Sequence, residues 1–486
     1  MKELVFFTGS ALVVPLGVVA GSMSRLVRTA LFFGVILGTT VTERLDINLI
    51  SREWYRGTTR GFEVSFVDLL VWMLLGSALV SRLSRRRAIR WPAALMPLLA
   101  YFGYCLMSLG YCEPKLFGAF EVMKIGRSIL VFLAVFLFVE SRRELRLLLI
   151  ALACTMGIEG FSALKERYML GVHRVRGTLA HPNSLSMFCC MVAPILTAAL
   201  MSTERVRVRI LLTGGLLLAV GCVVLTISRT GFVTLGLVLF GTVAACTAGR
   251  LSLRHVAIGV VVLVASAGVA WKSWDTLKER FGESSLADEY FGEVTEGRGV
   301  YLRLAKNIVA DHPLGIGLNN WSYAVSNTYG PAIGMHYVPY SGTEDSPDQE
   351  IPYASGLDAA QAAPAHNLMA LTVGELGWPG AMLLMLIWIR SLMVGAAFLL
   401  RRSPDIVSRF GLGAFFGILA AILQSVTEWE LRQTQILFLY NVVLGGLVAA
   451  AVIWRQEKHA RSRAMRARRI APAAPPATVA APASLT

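Results

Sequence analysis

The sequence predicts an all-α, polytopic membrane protein of about 12–13 transmembrane helices with one large loop on a single side. Three observations carry that prediction. Hydrophobic residues make up 55% of the 486 and charged residues only 16%, where soluble domains carry about a quarter charged residues. Apolar runs close to the length of a spanning helix recur along the chain. The series is broken once, at 272–365, by a long polar stretch containing an isolated Arg298 and ending at His366-Asn367.

The apolar runs lie at 4–21, 29–42, 64–81, 91–110, 119–139, 147–164, 184–202, 210–227, 231–248, 256–271, 378–400, 410–427 and 436–454. Of these thirteen candidates twelve are accepted, and the count turns on 4–21 versus 29–42, because the first run must be weighed as a signal segment. A cleaved signal segment is disfavoured at 4–21, because Met1-Lys2-Glu3 is a poor basic leader and no small-residue cleavage site opens onto soluble sequence. Residues 1–454 therefore form one integral membrane unit. From 455 a basic stretch leads into an Ala/Pro-rich tail, read as disordered beyond Ile470.

A formal net charge of +15 raises the question of nucleic acid, but its distribution excludes that class. The cations concentrate in short loops: Arg82, Arg85, Arg86, Arg87 and Arg90; Arg142, Arg143 and Arg146; Arg205, Arg207 and Arg209; Arg250 and Arg254; Arg401, Arg402 and Arg409; then the segment from Arg455 to Arg469. These are alternate loops, the positive-inside pattern, and they place the C-terminus inside. Segments 165–183, 228–230, 272–365 and 428–435 then share the outer side. The seven cysteines lie mostly in apolar runs and form no C-x-x-C pair, and no His/Cys cluster supports zinc. No P-loop, G-x-G-x-x-G or G-x-S-x-G is present.

Arginines on the outer side need a reason, since cations are depleted there. Arg176 stands in RGTLAHPN (176–183), Arg229 in the short SRTG turn (228–231) and Arg298 in GRGVYLRL (297–304). Three guanidiniums on one face suit a multiply charged phosphate group, whose oxygens the planar fork binds in pairs. Each alone is also explained by snorkelling to headgroups or by a solvated loop. His181-Pro182-Asn183 reads as a helix start with Asn183 as its cap.

The segment HNLMALTVGELGWPG (366–380) carries the strongest signal. Pro364 allows a helix from about Ala365, with His366 in the first turn. On an unbroken helix Gly377 falls about 20° and Gly380 about 40° from His366, on either side of it. That face would admit a neighbouring helix or lipid chain closely, with Glu375 opposite, packed into the bundle. The helix dipole and nearby arginines disfavour the imidazolium, leaving the ring able to accept a proton as a general base must. The plainer account is a histidine that merely caps a helix at the interface.

His366-Asn367, with Gly377 and Gly380 at this spacing, resembles the signature of the bacterial O-antigen ligases. Arg298 with Leu302 is similar to that family's arginine motif ahead of the histidine. The SRTG and RGTLAHPN elements are similar to recurring features of the wider superfamily, which includes the Wzy-type polysaccharide polymerases. The resemblance spans roughly residues 170–400. It implies a metal- and cofactor-independent glycosyltransferase of the bacterial inner membrane, its site facing the periplasm and 272–365 its large periplasmic loop. The implied donor is a glycan on undecaprenyl diphosphate; the acceptor is a sugar hydroxyl on lipid A–core or another lipid-linked glycan. By the same resemblance His366 activates the acceptor, while Arg176, Arg229, Arg298 and Asn367 bind substrate. Ligase and polymerase remain alternatives, with transfer to protein a more distant one. A flippase of lipid-linked glycan would need repeats and broken midplane helices that the sequence does not display.

Overall fold

The computed structural model describes residues 2–41, 46–52, 54–86, 91–202, 206–247, 299–335, 337, 361–401 and 403–470. They form an all-α bundle: α1 (Lys2–Met23), α2 (Arg25–Gly38), α3 (Phe66–Ser84), α4 (Leu95–Ser108), α5 (Lys115–Phe138), α6 (Arg142–Tyr168), α7 (Pro182–Leu200), α8 (Val206–Thr226) and α9 (Arg229–Thr247), then α10 (Gly299–Asp311), α11 (Leu368–Ala396), α12 (Ile406–Ser425) and α13 (Thr434–Ile470). A small antiparallel ribbon, β1 (Asp46–Leu49) and β2 (Phe62–Ser65), precedes α3. Nine of the described helices are long and apolar enough to cross a membrane. The run at 256–271, like Arg298, lies outside the described residues.

Helix α7 is the axis of the bundle, and every residue from Asn183 to Leu200 is buried. Its neighbours come close because they lack side chains at the crossings. A Cβ on Gly413 or Gly417 of α12 would strike the α7 backbone at Ile195 or Met191, and one on Gly231 of α9 would strike Ser186. Small residues spaced four apart let helix backbones approach, which is how helices bind one another where lipid supplies no hydrophobic drive.

The chain shuttles between two ends. At one end the basic loops gather: Arg82 meets Glu140 at 3.0 Å, Arg142 meets Glu457 at 2.6 Å, and Arg25 pairs with Glu144. Helices α1 and α2 turn there around Ser24, the cap of α2, and α1 packs parallel to α3, Gly17 beside Met73 and Gly21 beside Ser77. Both N-terminal runs are thus separate helices. At the other end, loops around residues 40, 58, 178, 230, 319, 366 and 428 converge.

Helix α5 corrects the plain apolar reading of 119–139. It buries Glu121, Lys124 and Arg127. Arg127 forms a fork with Asp68, at 2.9 and 2.7 Å, and lies over the Phe438 ring at 5.3 Å. Glu121 takes Lys124 at 2.7 Å and Arg432 at 2.8 Å, and Arg432 reaches on to Glu375 of α11 at 2.9 Å. Charges in such surroundings persist only when paired. Two cations against two carboxylates balance, so the cluster is an internal clamp of α5, α11 and the turn before α13.

Removing one member strands the others. We expect Arg432→Met to leave Glu375 without its cation and to cost about 3–5 kcal/mol. The check is the midpoint of thermal unfolding in detergent; an unchanged midpoint would show that the clamp contributes nothing.

Candidate functional site

The site lies where α7, α11 and the α12–α13 connection meet. Helix α11 begins later than its sequence suggests: Asn367 is the N-cap, its side chain accepting from Ala370 N at 2.9 Å. His366 therefore precedes the helix rather than standing in its first turn. The shared face of His366, Gly377 and Gly380 also fails, because the helix breaks at Gly377, with φ 63° and ψ −172°. That left-handed φ favours glycine, and a Cβ would strike the carbonyl of Pro313. The backbone approaching Gly377 belongs to the loop after α10, not to a neighbouring helix or lipid. Ile316 N donates to Gly374 O at 3.1 Å and Gly317 N to Glu375 O at 2.8 Å, fixing the loop across the break.

His366 Nδ1 lies 2.8 Å from Glu428 Oε2. Glu428 is buried, and its other oxygen accepts from Asn183 Nδ2 at 2.7 Å. Asn183 Oδ1 in turn meets Arg174 at 3.4 Å, and Arg174 also donates to Thr226 O at 3.3 Å. A carboxylate that accepts at Nδ1 fixes the tautomer and leaves Nε2 with its lone pair. His366 is about a third exposed, and the Tyr301 ring of α10 stands 5.8 Å from it. The ring can therefore be held from behind while facing a bound substrate.

Asn183 is thus not the cap of α7. That role falls to His181, whose Nδ1 accepts from Asn183 N at 3.2 Å, freeing the Asn183 side chain for Glu428. Burial lowers the His181 pKa to about 4, with Arg174 and His366 adding to the effect and Glu428 opposing it. A neutral His181 can keep its acceptor lone pair turned to the helix. His366, Glu428 and Glu430 each bring one ligand atom within 4.8 Å of the others, so they could take a divalent ion. Glu428, however, already has both oxygens engaged by His366 and Asn183.

The predicted arginines separate. Arg229 is the first residue of α9, in a turn whose Ser228 Oγ accepts from Gly231 N at 3.3 Å and whose Thr230 meets Thr427 at 3.3 Å. It therefore stands at the end of the bundle that holds Glu428. Arg176 is largely exposed and 3.9 Å from Glu166, on the outer rim. The rest of RGTLAHPN is structural: Gly177, at φ 66°, and Thr178 wrap over the buried Glu159, which accepts from Thr178 N at 3.0 Å. Arg174, His181 and Glu430 were missed by sequence reasoning. Arg174, two residues before Arg176 on the same outer segment, carried the same signal.

The depressed pKa of His181 sets a pH dependence. The unfolded state binds the proton from about pH 6.5 downward, the folded state only near pH 4. Stability from this group is therefore full above about pH 6.5 and falls as pH drops towards 4. His181→Asn, a cap that does not titrate, is expected to flatten the melting temperature across that window. An identical slope in both proteins would remove His181 from the account.

No curated protein matches the chain. A family model does: residues 214–385 match Wzy_C, described as O-Antigen ligase. The matched segment takes in Arg229, Arg298, His366, Asn367 and the break at Gly377, and stops short of Glu428. That match and the many apolar helices support a multi-pass membrane protein that carries an O-antigen ligase-like segment at residues 214–385.

Proposed function

We propose that the protein transfers a glycan from undecaprenyl diphosphate to a sugar hydroxyl of a lipid-linked acceptor, at the periplasmic face of the bacterial inner membrane. The observation that carries this reading is the 2.8 Å contact of His366 Nδ1 with the buried Glu428, which leaves Nε2 to act. The acceptor O–H gives its proton to Nε2 as its oxygen bonds to the anomeric carbon. The bond from that carbon to the diphosphate breaks, and the diphosphate departs with the electron pair. Glu428 stabilises the imidazolium that results, as a buried carboxylate does behind a catalytic histidine. Arg229 and Arg174, with Arg298 and the outer Arg176, supply positive charge for the leaving diphosphate, and charge stabilisation of this kind is commonly a large part of catalysis. Tyr301 offers a flat surface beside the ring for a sugar face. The same machinery serves a ligase with lipid A–core as acceptor and a polymerase with a second lipid-linked repeat.

Two substitutions test the dyad. His366→Gln keeps a hydrogen-bonding group but no base, and should lower transfer by about 10²–10⁴-fold while donor binding persists. Glu428→Gln should do nearly the same. If its carbonyl stays with Asn183, its amide donates to Nδ1 and forces the proton onto Nε2, the wrong tautomer. Substantial turnover by either variant would sink the base assignment. Transfer should also survive chelation, whereas loss reversed by a divalent ion would reassign His366, Glu428 and Glu430 as metal ligands.

The arginines are tested by shape rather than charge. Arg229→Lys and Arg298→Lys keep the cation but lose the fork, and a large loss of transfer with normal membrane insertion is expected. Arg143→Lys, in a basic loop at the opposite end, should be nearly silent. Equal tolerance at all three would mean the outer arginines only contact headgroups.

A further inference from the structure

At the end of the bundle opposite His366, the turn between α1 and α2 leans against the ends of α3 and α5 and encloses a cavity of about 370 Å³. That is within the range of small-ligand sites. Four arginines line it, Arg25, Arg28, Arg82 and Arg85, against two carboxylates, Glu140 and Glu144. The formal balance is +2. Several of these guanidinium N–H groups are satisfied by carbonyls, which fix the side chain without neutralising it. Arg28 donates to Gly21 O at 2.9 Å and to Ser22 O at 3.4 Å, and Arg82 donates to Leu137 O at 3.0 Å. Arg25 pairs with Glu144 and Arg82 with Glu140, so the charge in excess of the pairs resides on Arg28 and the exposed Arg85.

The rest of the lining is apolar. Met23, Ala78, Leu137 and Phe138 form part of the wall, and the adjoining outer surface of α1 and α2 exposes Leu16, Val19, Met23 and Leu26. A cationic recess opening beside a lipid-facing apolar strip fits a molecule with an anionic head and hydrocarbon tails. Basic pockets between membrane helices bind lipid head groups on this physical ground. We propose that this recess is a headgroup site for an anionic phospholipid, its phosphate held by Arg28 and Arg85 and its acyl chains lying along α1 and α2. The site is separate from the proposed transfer chemistry and does not depend on it.

The full chain, purified in detergent, is titrated with phosphatidylglycerol, cardiolipin, phosphatidylethanolamine or inorganic phosphate. Binding is read by native mass spectrometry and by the unfolding temperature. The two anionic lipids should bind stoichiometrically and raise the unfolding temperature by a few degrees. Arg85→Gln should weaken that binding about tenfold, and Arg28→Gln combined with it should weaken it further. Arg85 serves as the clean single variant because Arg28 also helps hold the α1–α2 turn. Arg207→Gln, an exposed cation outside the cavity at the start of α8, should bind as the parent does. Equal stabilisation by phosphatidylethanolamine, or by inorganic phosphate alone at the same concentration, would overturn the proposal. So would an Arg207→Gln variant as impaired as Arg85→Gln, since the attraction would then be diffuse charge rather than a built site.

Discussion

Arg432 is the point on which the His366 end of the bundle turns. It lies in the short 3-10 turn Glu430–Arg432 and holds Glu121 of α5 with one nitrogen and Glu375 of α11 with another. Because Glu428 and Glu430 belong to the same connection, pinning Arg432 also pins the carboxylate behind His366. Asn319 extends the clamp: it accepts from Thr58 N at 2.8 Å and donates to Thr59 O and Phe117 O, both at 2.9 Å. Thr58 bonds Glu121 at 2.8 Å. A buried cluster of this kind is costly to desolvate, and what it gives in return is position. It gathers loops distant in sequence into one fixed arrangement.

The break in α11 complements the clamp. A continuous helix would have carried its N-terminal face smoothly past the α10 loop. The left-handed Gly377 instead opens the backbone where Ile316 and Gly317 dock, seating the segment from α10 to Trp321 against α11. Trp321 and Ile308 then crowd Gly374, where a Cβ would meet the indole ring. The loop after α10, the helix that carries Tyr301, is thereby held by main-chain bonds, with Tyr111 Oη donating to Leu314 O at 2.9 Å beside them.

Much of this was legible in the sequence, and the failures have physical causes. Apolar runs mark helices because a spanning segment must satisfy its own backbone bonds, and alternating basic loops sorted the two ends. His366-Asn367 stood out because a polar pair opens an apolar helix. The wheel drawn through His366, Gly377 and Gly380 failed because it assumed 100° per residue across Gly377-Trp378-Pro379, where glycine and proline both argue against a regular helix. The cap of α7 was misassigned because histidine is not among the usual capping residues, and only the structure reveals that Asn183 is needed elsewhere. Pairings such as Asn183 with Glu428 join residues 245 positions apart, a distance at which periodicity carries no information. The charges of α5 were visible as letters, but their partners were not.

The complete enclosure of α7 bears on how the protein is made. This helix emerges from the ribosome well before α12 and α13, yet in the finished fold it has no surface left for lipid. Until the last two helices arrive, its small-residue seams face the bilayer or whatever assists insertion there. The connection between those same two helices carries Glu428 and Arg432. Burial of the central helix and completion of the His366–Glu428 pair are thus finished by one late segment of the chain. A nascent or truncated protein lacking it would be recognisable to quality control by an open seam, and would leave His366 without its buried carboxylate for the same reason.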